Sequence, residues 1–112
     1  MKLITAVVKP DRLDDVMHAV SQAGARGLTA TEVRGFGQQF GHLAADRPAD
    51  EKALVLPKLR IDVLVRDQSV TAITEAIAKA VNTGAIGDGK IWVCPVESAL
   101  RVRTGETDAE AV

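Results

Sequence analysis

The same succession of patterns occurs twice along this chain. Residues 2–9 mix β-branched and apolar types up to Pro10, which predicts a strand. Leu13, Val16, Met17 and Val20 then recur at helical spacing until Gly24 supplies a stop. Leu28 to Phe36, rich in Thr and Val, predicts a second strand. After a long gap, Leu59, Ile61, Val63 and Val65 alternate with Arg60, Asp62, Leu64 and Arg66, the clearest strand signal in the sequence. Val70, Ile73, Ile77 and Val81 give another helix, ending near Asn82 and Gly84, and Lys90 to Cys94 a last strand stopped by Pro95. Asp11 with Asp14 resembles a capping box, and Ser69 is placed to cap the second helix. A strand-helix-strand unit in tandem predicts an α+β, ferredoxin-like βαββαβ fold: a duplicated split βαβ with an antiparallel sheet, both helices on one face and a long loop after strand 2. The other face then needs cover, which predicts self-association.

Composition narrows the function. The 112 residues amount to one domain, spanning 1–112, with room for one compact core. Lys plus Arg number 14 against 15 Asp plus Glu, so the net charge of −1 argues against a nucleic-acid binder, which needs clustered cations. Aromatic residues are 3% with no tyrosine, too few for a base-stacking platform. Cys94, the only cysteine, excludes an intrachain disulfide framework and a cysteine-cluster zinc site, and reads most simply as a small buried hydrophobe. The apolar run Leu3 to Val8 is too short for a secretory segment or a bilayer span, so a cytoplasmic protein without membrane insertion is expected.

Two glycine-rich stretches and a set of cations carry the chemistry. Gly35-Phe36-Gly37-Gln38-Gln39-Phe40-Gly41-His42 opens the gap between strands, residues 37–56. Structureless loops longer than about 12–15 residues are usually functional or disordered. Its middle, Ala44 to Lys52, is small and charged; it reads as a solvated tip or a mobile recognition loop, and the apolar Leu54, Val55 and Leu56 leading into the next strand favour the latter. Gly84-Ala85-Ile86-Gly87-Asp88-Gly89-Lys90 joins the second helix to the last strand. Successive glycine N–H groups can form an anion-binding nest, and Lys90 adds a point charge suited to phosphate. The nest precedes a strand, so it is no Walker loop, and alone it reads equally well as a tight turn. In an extended tail, 96–112, Arg101 and Arg103 project to one side and can clamp a polyphosphate. With Lys58 behind Pro57, these residues favour a nucleotide over a sugar or a peptide. His18 reads as a surface residue and His42 as a residue of the loop base.

Thr83-Gly84-Ala85-Ile86-Gly87-Asp88-Gly89-Lys90-Ile91-Trp92-Val93 resembles the C-terminal signature of the PII nitrogen-regulatory signal proteins. The resemblance extends over nearly the whole chain, through Met1 to Ala6, Lys9-Pro10, Thr31-Glu32-Val33, Gly35-Phe36-Gly37, Gly41-His42, Leu56-Pro57-Lys58 and Arg101 to Glu106. It implies a homotrimer, with ATP or ADP in clefts between neighbouring subunits and Trp92 at the trimer core. Carried over position by position, Gly87, Gly89 and Lys90 would hold phosphates from one subunit, with Asp88 beside them in the nucleotide-binding loop and Arg101 and Arg103 reaching in from the next. Val7, Thr29, Gly35, Phe36, Gly37, Gln38, Asp62 and Leu64 would line the base and ribose pocket. Gln39 would help hold Mg²⁺ bound to ATP, and Gln39, Gly41, Lys58 and Gly87 would meet 2-oxoglutarate, Lys58 by pairing with a carboxylate. Asp62 stands where the family often has Glu, which shortens or removes a ribose contact.

The family often carries a loop-tip tyrosine that is nucleotidylated. Here the aligned stretch is Asp46-Arg47-Pro48-Ala49-Asp50-Glu51, and residue 51 is a carboxylate. The expectation is a chain with no modification site, signalling through nucleotide and metabolite alone, with Asp46, Arg47, Asp50 and Glu51 meeting the partner. Arg47 keeps open an ammonium transporter, which would bring the protein to a membrane, beside enzymes or regulators of nitrogen metabolism. The alternative is a divergent nucleotide sensor controlling metal or other ion transport without 2-oxoglutarate synergy. An ATP-hydrolysing enzyme ranks third, since Asp62 and Asp88 are the only acids near the site and no nucleophile–base pair is evident.

Overall fold

The computed structural model describes residues 1–37 and 55–112. Gln38, Gln39, Gly41, Asp46, Arg47, Asp50 and Glu51, and the greater part of the 37–56 loop, lie outside the described residues. Within them the elements are β1 (Lys2–Val8), α1 (Leu13–Gln22), β2 (Thr29–Gly35), β3 (Leu56–Val65), α2 (Val70–Val81) and β4 (Lys90–Pro95). The sheet order is β2-β3-β1-β4, and every neighbouring pair is antiparallel. This is the ferredoxin-like α+β arrangement, with β1 and β3, the first strands of the two units, side by side in the centre.

The core lies between one sheet face and the two helices. Ile4, Ala6 and Val8 of β1 and Leu59, Ile61, Val63 and Val65 of β3 meet Val16 and Val20 of α1 and Ile73, Ile77 and Val81 of α2. The alternation in β3 supplies one buried face because strand side chains have a period of two. Met17 is 48% exposed, since a helix one layer deep on a sheet buries a narrower stripe than the sequence suggested.

Both helix starts differ from expectation. Pro10–Arg12 forms a 3-10 turn closed by the Arg12 N–H on the Lys9 carbonyl at 3.1 Å, and neither acid of the supposed capping box caps α1. The fixed φ of Pro10 preorganises that turn, which hands over directly to the helix. Ser69 occupies the N-cap of α2 but ends a second 3-10 turn, Asp67–Ser69, with φ −96° and ψ −7°. Its hydroxyl makes no cap bond, because side-chain capping needs an extended residue there. The stop at Gly24 holds: with φ +98° it lets its own N–H reach the Ser21 carbonyl and that of Ala25 reach Val20.

Strand β3 starts at Leu56, three residues earlier than its apolar alternation. Pro57 is tolerated because it lies beyond Leu59, the last residue paired to β1, so no strand on that side needs its missing N–H. On the sheet face away from the helices, register aligns Thr29, Asp62, Thr5 and Trp92 across all four strands. Thr5, 1% exposed, donates its hydroxyl to Asp62 Oδ1 at 2.7 Å, and Arg60 Nε reaches Asp62 Oδ2 at 3.1 Å. Cys94 falls on this same face of the edge strand and is exposed, against the expectation of a buried thiol.

The C-terminal tail is not extended at its arginines. Gly105, with φ +75°, donates its N–H to the Arg101 carbonyl at 2.8 Å, and the Arg101 N–H reaches the Glu106 carbonyl at 2.9 Å. A bridge between Leu100 and Thr107 closes the turn. The left-handed glycine reverses the chain, so alternation no longer puts Arg101 and Arg103 on one side.

Candidate functional site

The glycine-rich segments converge. Gly35, Phe36 and Gly37 at the end of β2 face Ile86, Gly87 and Gly89 across a cleft of about 560 Å³, floored by Val7, Lys58, Lys90 and Trp92. Antiparallel register builds it: Val7 pairs with Lys90 on one side and Arg60 on the other, so the end of β1 sits between both loops. Gly89 closes one wall at φ +115°, so near the end of β1 that a Cβ there would lie 2.2 Å from the Val7 carbonyl oxygen. Only glycine lets the backbone approach so closely.

Asp88 holds the 83–89 loop in shape. Its carboxylate accepts the N–H of Thr83 at 2.6 Å, the N–H of Gly84 at 2.9 Å and the Thr83 hydroxyl, and lies 3.5 Å from Lys9 Nζ. These donors, Thr83 foremost, lower its pKa to about 2. The carboxylate is therefore engaged inside the loop, while Gly87, Gly89 and Lys90 line the cleft.

The sign of the pH effect follows. The folded-state pKa lies below the ordinary aspartate value of about 3.9, so the carboxylate stabilises the loop above that pH and loses its effect as pH falls through the folded value. NMR titration of the Thr83 and Gly84 amides is expected to show a shared midpoint near pH 2, with Asp88→Asn abolishing it. A midpoint at the ordinary aspartate value would mean that these bonds do not hold the loop.

Lys58 sits beside this loop, and burial, with the charge of Lys9 second, pulls its pKa below the usual lysine range. Both causes penalise the charged ammonium, the first because burial strips it of water and the second because a like charge stands nearby. Among the described residues no group of three His, Cys, Asp or Glu side chains comes together as a metal cage.

A second cleft, of about 540 Å³, lies where β2 and β3 pair at their other end. It contains Thr29, Asp62, Leu64 and Arg101. Thr29 and Gly35 are the two ends of β2, six residue steps or about 20 Å apart, and no described residue lines both clefts. One chain thus brings Val7, Gly35, Phe36, Gly37, Lys58, Gly87, Gly89 and Lys90 together and sets Thr29, Asp62, Leu64 and Arg101 apart from them. Arg103 lines neither cleft.

The sequence reading missed Trp92 and Ile86 as lining residues of the first cleft, and Arg26 and Arg66 in the second. Period two was the available signal for Trp92, two residues after Lys90 on β4, and for Arg66, two residues after Leu64 and just past the end of β3.

The model of the family described as nitrogen regulatory protein P-II matches residues 1–106. The nitrogen regulatory protein GlnK of Escherichia coli strain K12 is 46% identical over 112 residues, covering 100% of both chains. Proteins named nitrogen regulatory protein P-II from Cereibacter sphaeroides and Mesorhizobium japonicum are 50% and 48% identical, again over 100% of both chains.

Proposed function

The chain belongs to the nitrogen regulatory protein P-II family, and we propose that it is a non-enzymatic sensor that binds ATP or ADP in clefts shared between the subunits of a homotrimer. Mg²⁺ and 2-oxoglutarate join ATP there, and a loop over 37–56 passes the state of the cleft to a partner. The observation carrying this reading is the division of labour on one chain. One cleft is lined by glycines and lysines and the other by Arg26, Arg66 and Arg101 with the Thr29–Asp62 end of the sheet, with no described residue common to both. Two such halves complement each other only across a subunit boundary.

The open sheet face supports assembly. Leu64 and Trp92 remain 37% and 39% exposed on it, around the half-buried Thr5–Asp62 bond. Covering that face with copies of itself would bury these side chains and set an arginine cleft beside each glycine cleft.

Magnesium fits the donor set. It keeps few protein ligands and prefers oxygen, so one amide oxygen, from Gln39, with oxygens of ATP and 2-oxoglutarate suits it. Lys58, in the glycine cleft, would pair with a 2-oxoglutarate carboxylate, alongside Gly41 and Gly87. Because the loop starts at this site and ends beside Lys58, ligation selects among loop conformations, and Asp46, Arg47, Asp50 and Glu51 present the result. The partner is an ammonium transporter or an enzyme of nitrogen metabolism, met from the cytoplasm; no helix among the described residues is long and apolar enough to cross a membrane.

Calorimetric titration with ATP–Mg²⁺, with and without 2-oxoglutarate, tests this. Each ligand is expected to tighten the other by about 5- to 150-fold, a coupling of about 1–3 kcal/mol. Nucleotide binding without any such synergy would favour the sensor of a different ion-transport system, and no binding of adenine nucleotides would overturn the reading.

A further inference from the structure

We propose that Glu106 is an internal counter-anion for Arg101, an acidic latch that occupies the guanidinium until a polyphosphate displaces it. This rests on the reading that Arg101 serves the phosphates of a nucleotide. Arg101 Nη1 lies 3.6 Å from Glu106 Oε2, and Nη2 donates to the Ala111 carbonyl at 3.3 Å. A guanidinium clamps phosphate through two parallel N–H groups, and here both terminal nitrogens are engaged by the chain's own tail.

The geometry allows release without unfolding. The Arg101 N–H on the Glu106 carbonyl and the Gly105 N–H on the Arg101 carbonyl fix both backbones, so only side chains need turn. The two side chains are 33% and 39% exposed, open enough for a ligand to reach one and water to receive the other. An exposed pair of this kind is weak, hence easily exchanged for a bidentate phosphate. A singly charged ligand gains little by replacing one carboxylate with another anion, whereas a polyphosphate gains a second hydrogen bond and more charge. Glu106 is thus a specificity-determining residue that favours polyphosphates over lesser anions.

The test compares wild type, Glu106→Gln and Glu106→Asp, the last too short to keep the contact. Glu106→Gln is expected to tighten ATP by about two- to fivefold, the worth of an exposed ion pair, and to do nothing in an Arg101→Ala background. In ligand-free protein, phenylglyoxal should modify Arg101 faster in both Glu106 variants, read by peptide mass spectrometry. Unchanged or weaker ATP binding by Glu106→Gln would overturn the latch while leaving the nucleotide reading intact. If wild type binds no ATP, that reading fails, and the Arg101 modification rate alone decides the latch: a rate equal to wild type in both variants overturns it.

Discussion

Gly89→Ala is expected to cost about 3 kcal/mol or more of folding stability. Two independent causes add. The residue sits at φ +115°, where an L side chain is strained, and the new Cβ would lie 2.2 Å from the Val7 carbonyl oxygen and 3.0 Å from Val8 Cα. Those neighbours are backbone of a central strand paired on both sides, so they cannot move aside without disturbing the β1 ladders. Gly84→Ala is the control: its φ is +79° but nothing lies within 4 Å of an added Cβ, so it should cost only the left-handed strain of about 1–2 kcal/mol. Urea unfolding of both variants measures the difference, with an unchanged slope as the sign that stability alone has altered. Equal losses would show that the Val7 contact is easily relieved and that close approach does not shape the cleft. With the approach lost, the Gly87–Lys90 wall shifts and ATP binding should fall with it.

The fold was largely readable because its strongest signals are local and periodic. Leu59, Ile61, Val63 and Val65 could only be one face of a strand, and α2 showed three buried residues at helical spacing. What escaped depends on backbone conformation that residue types do not encode. Asp11 and Ser69 have capping chemistry, yet the 3-10 turns before each helix put the backbone where a side-chain cap cannot form. Gly105 in the tail was one glycine among nine until its positive φ showed it reversing the chain at Arg101. Cys94 looked buried by type, but exposure at an edge strand follows from sheet order, a long-range property.

At the site, the sequence revealed which residues carry charge and freedom but not how register distributes them. Gly35 and Thr29 belong to one strand, and only pairing with β3 shows that they serve different clefts. Asp88 was visible as an acid in a glycine loop. Whether it faced a ligand or its own backbone depended on Thr83 and Gly84 folding back onto it, which no spacing rule predicts.

Two defective variants are expected to repair one another. Lys90→Ala removes a charge from the glycine cleft and Arg101→Ala removes the guanidinium from the other. If the nucleotide site is shared between subunits as proposed, every site of a homogeneous assembly then lacks one partner, which should weaken ATP by about 1.5–3 kcal/mol, or about 10- to 150-fold. Refolded together in equal amounts, the chains would alternate at random around a closed ring of head-to-tail contacts. About a quarter of the sites would then take Lys90 from the Arg101→Ala chain and Arg101 from the Lys90→Ala chain, regaining wild-type affinity, while about a quarter carry both defects. Titration of the mixture should resolve that high-affinity class, absent from either variant alone. Were both clefts of one chain to act on one nucleotide without a neighbour, mixing would restore nothing, because every chain carries a defect of its own. Recovery depends on a site whose two halves come from different chains, so the size of the high-affinity class measures how completely subunits share it.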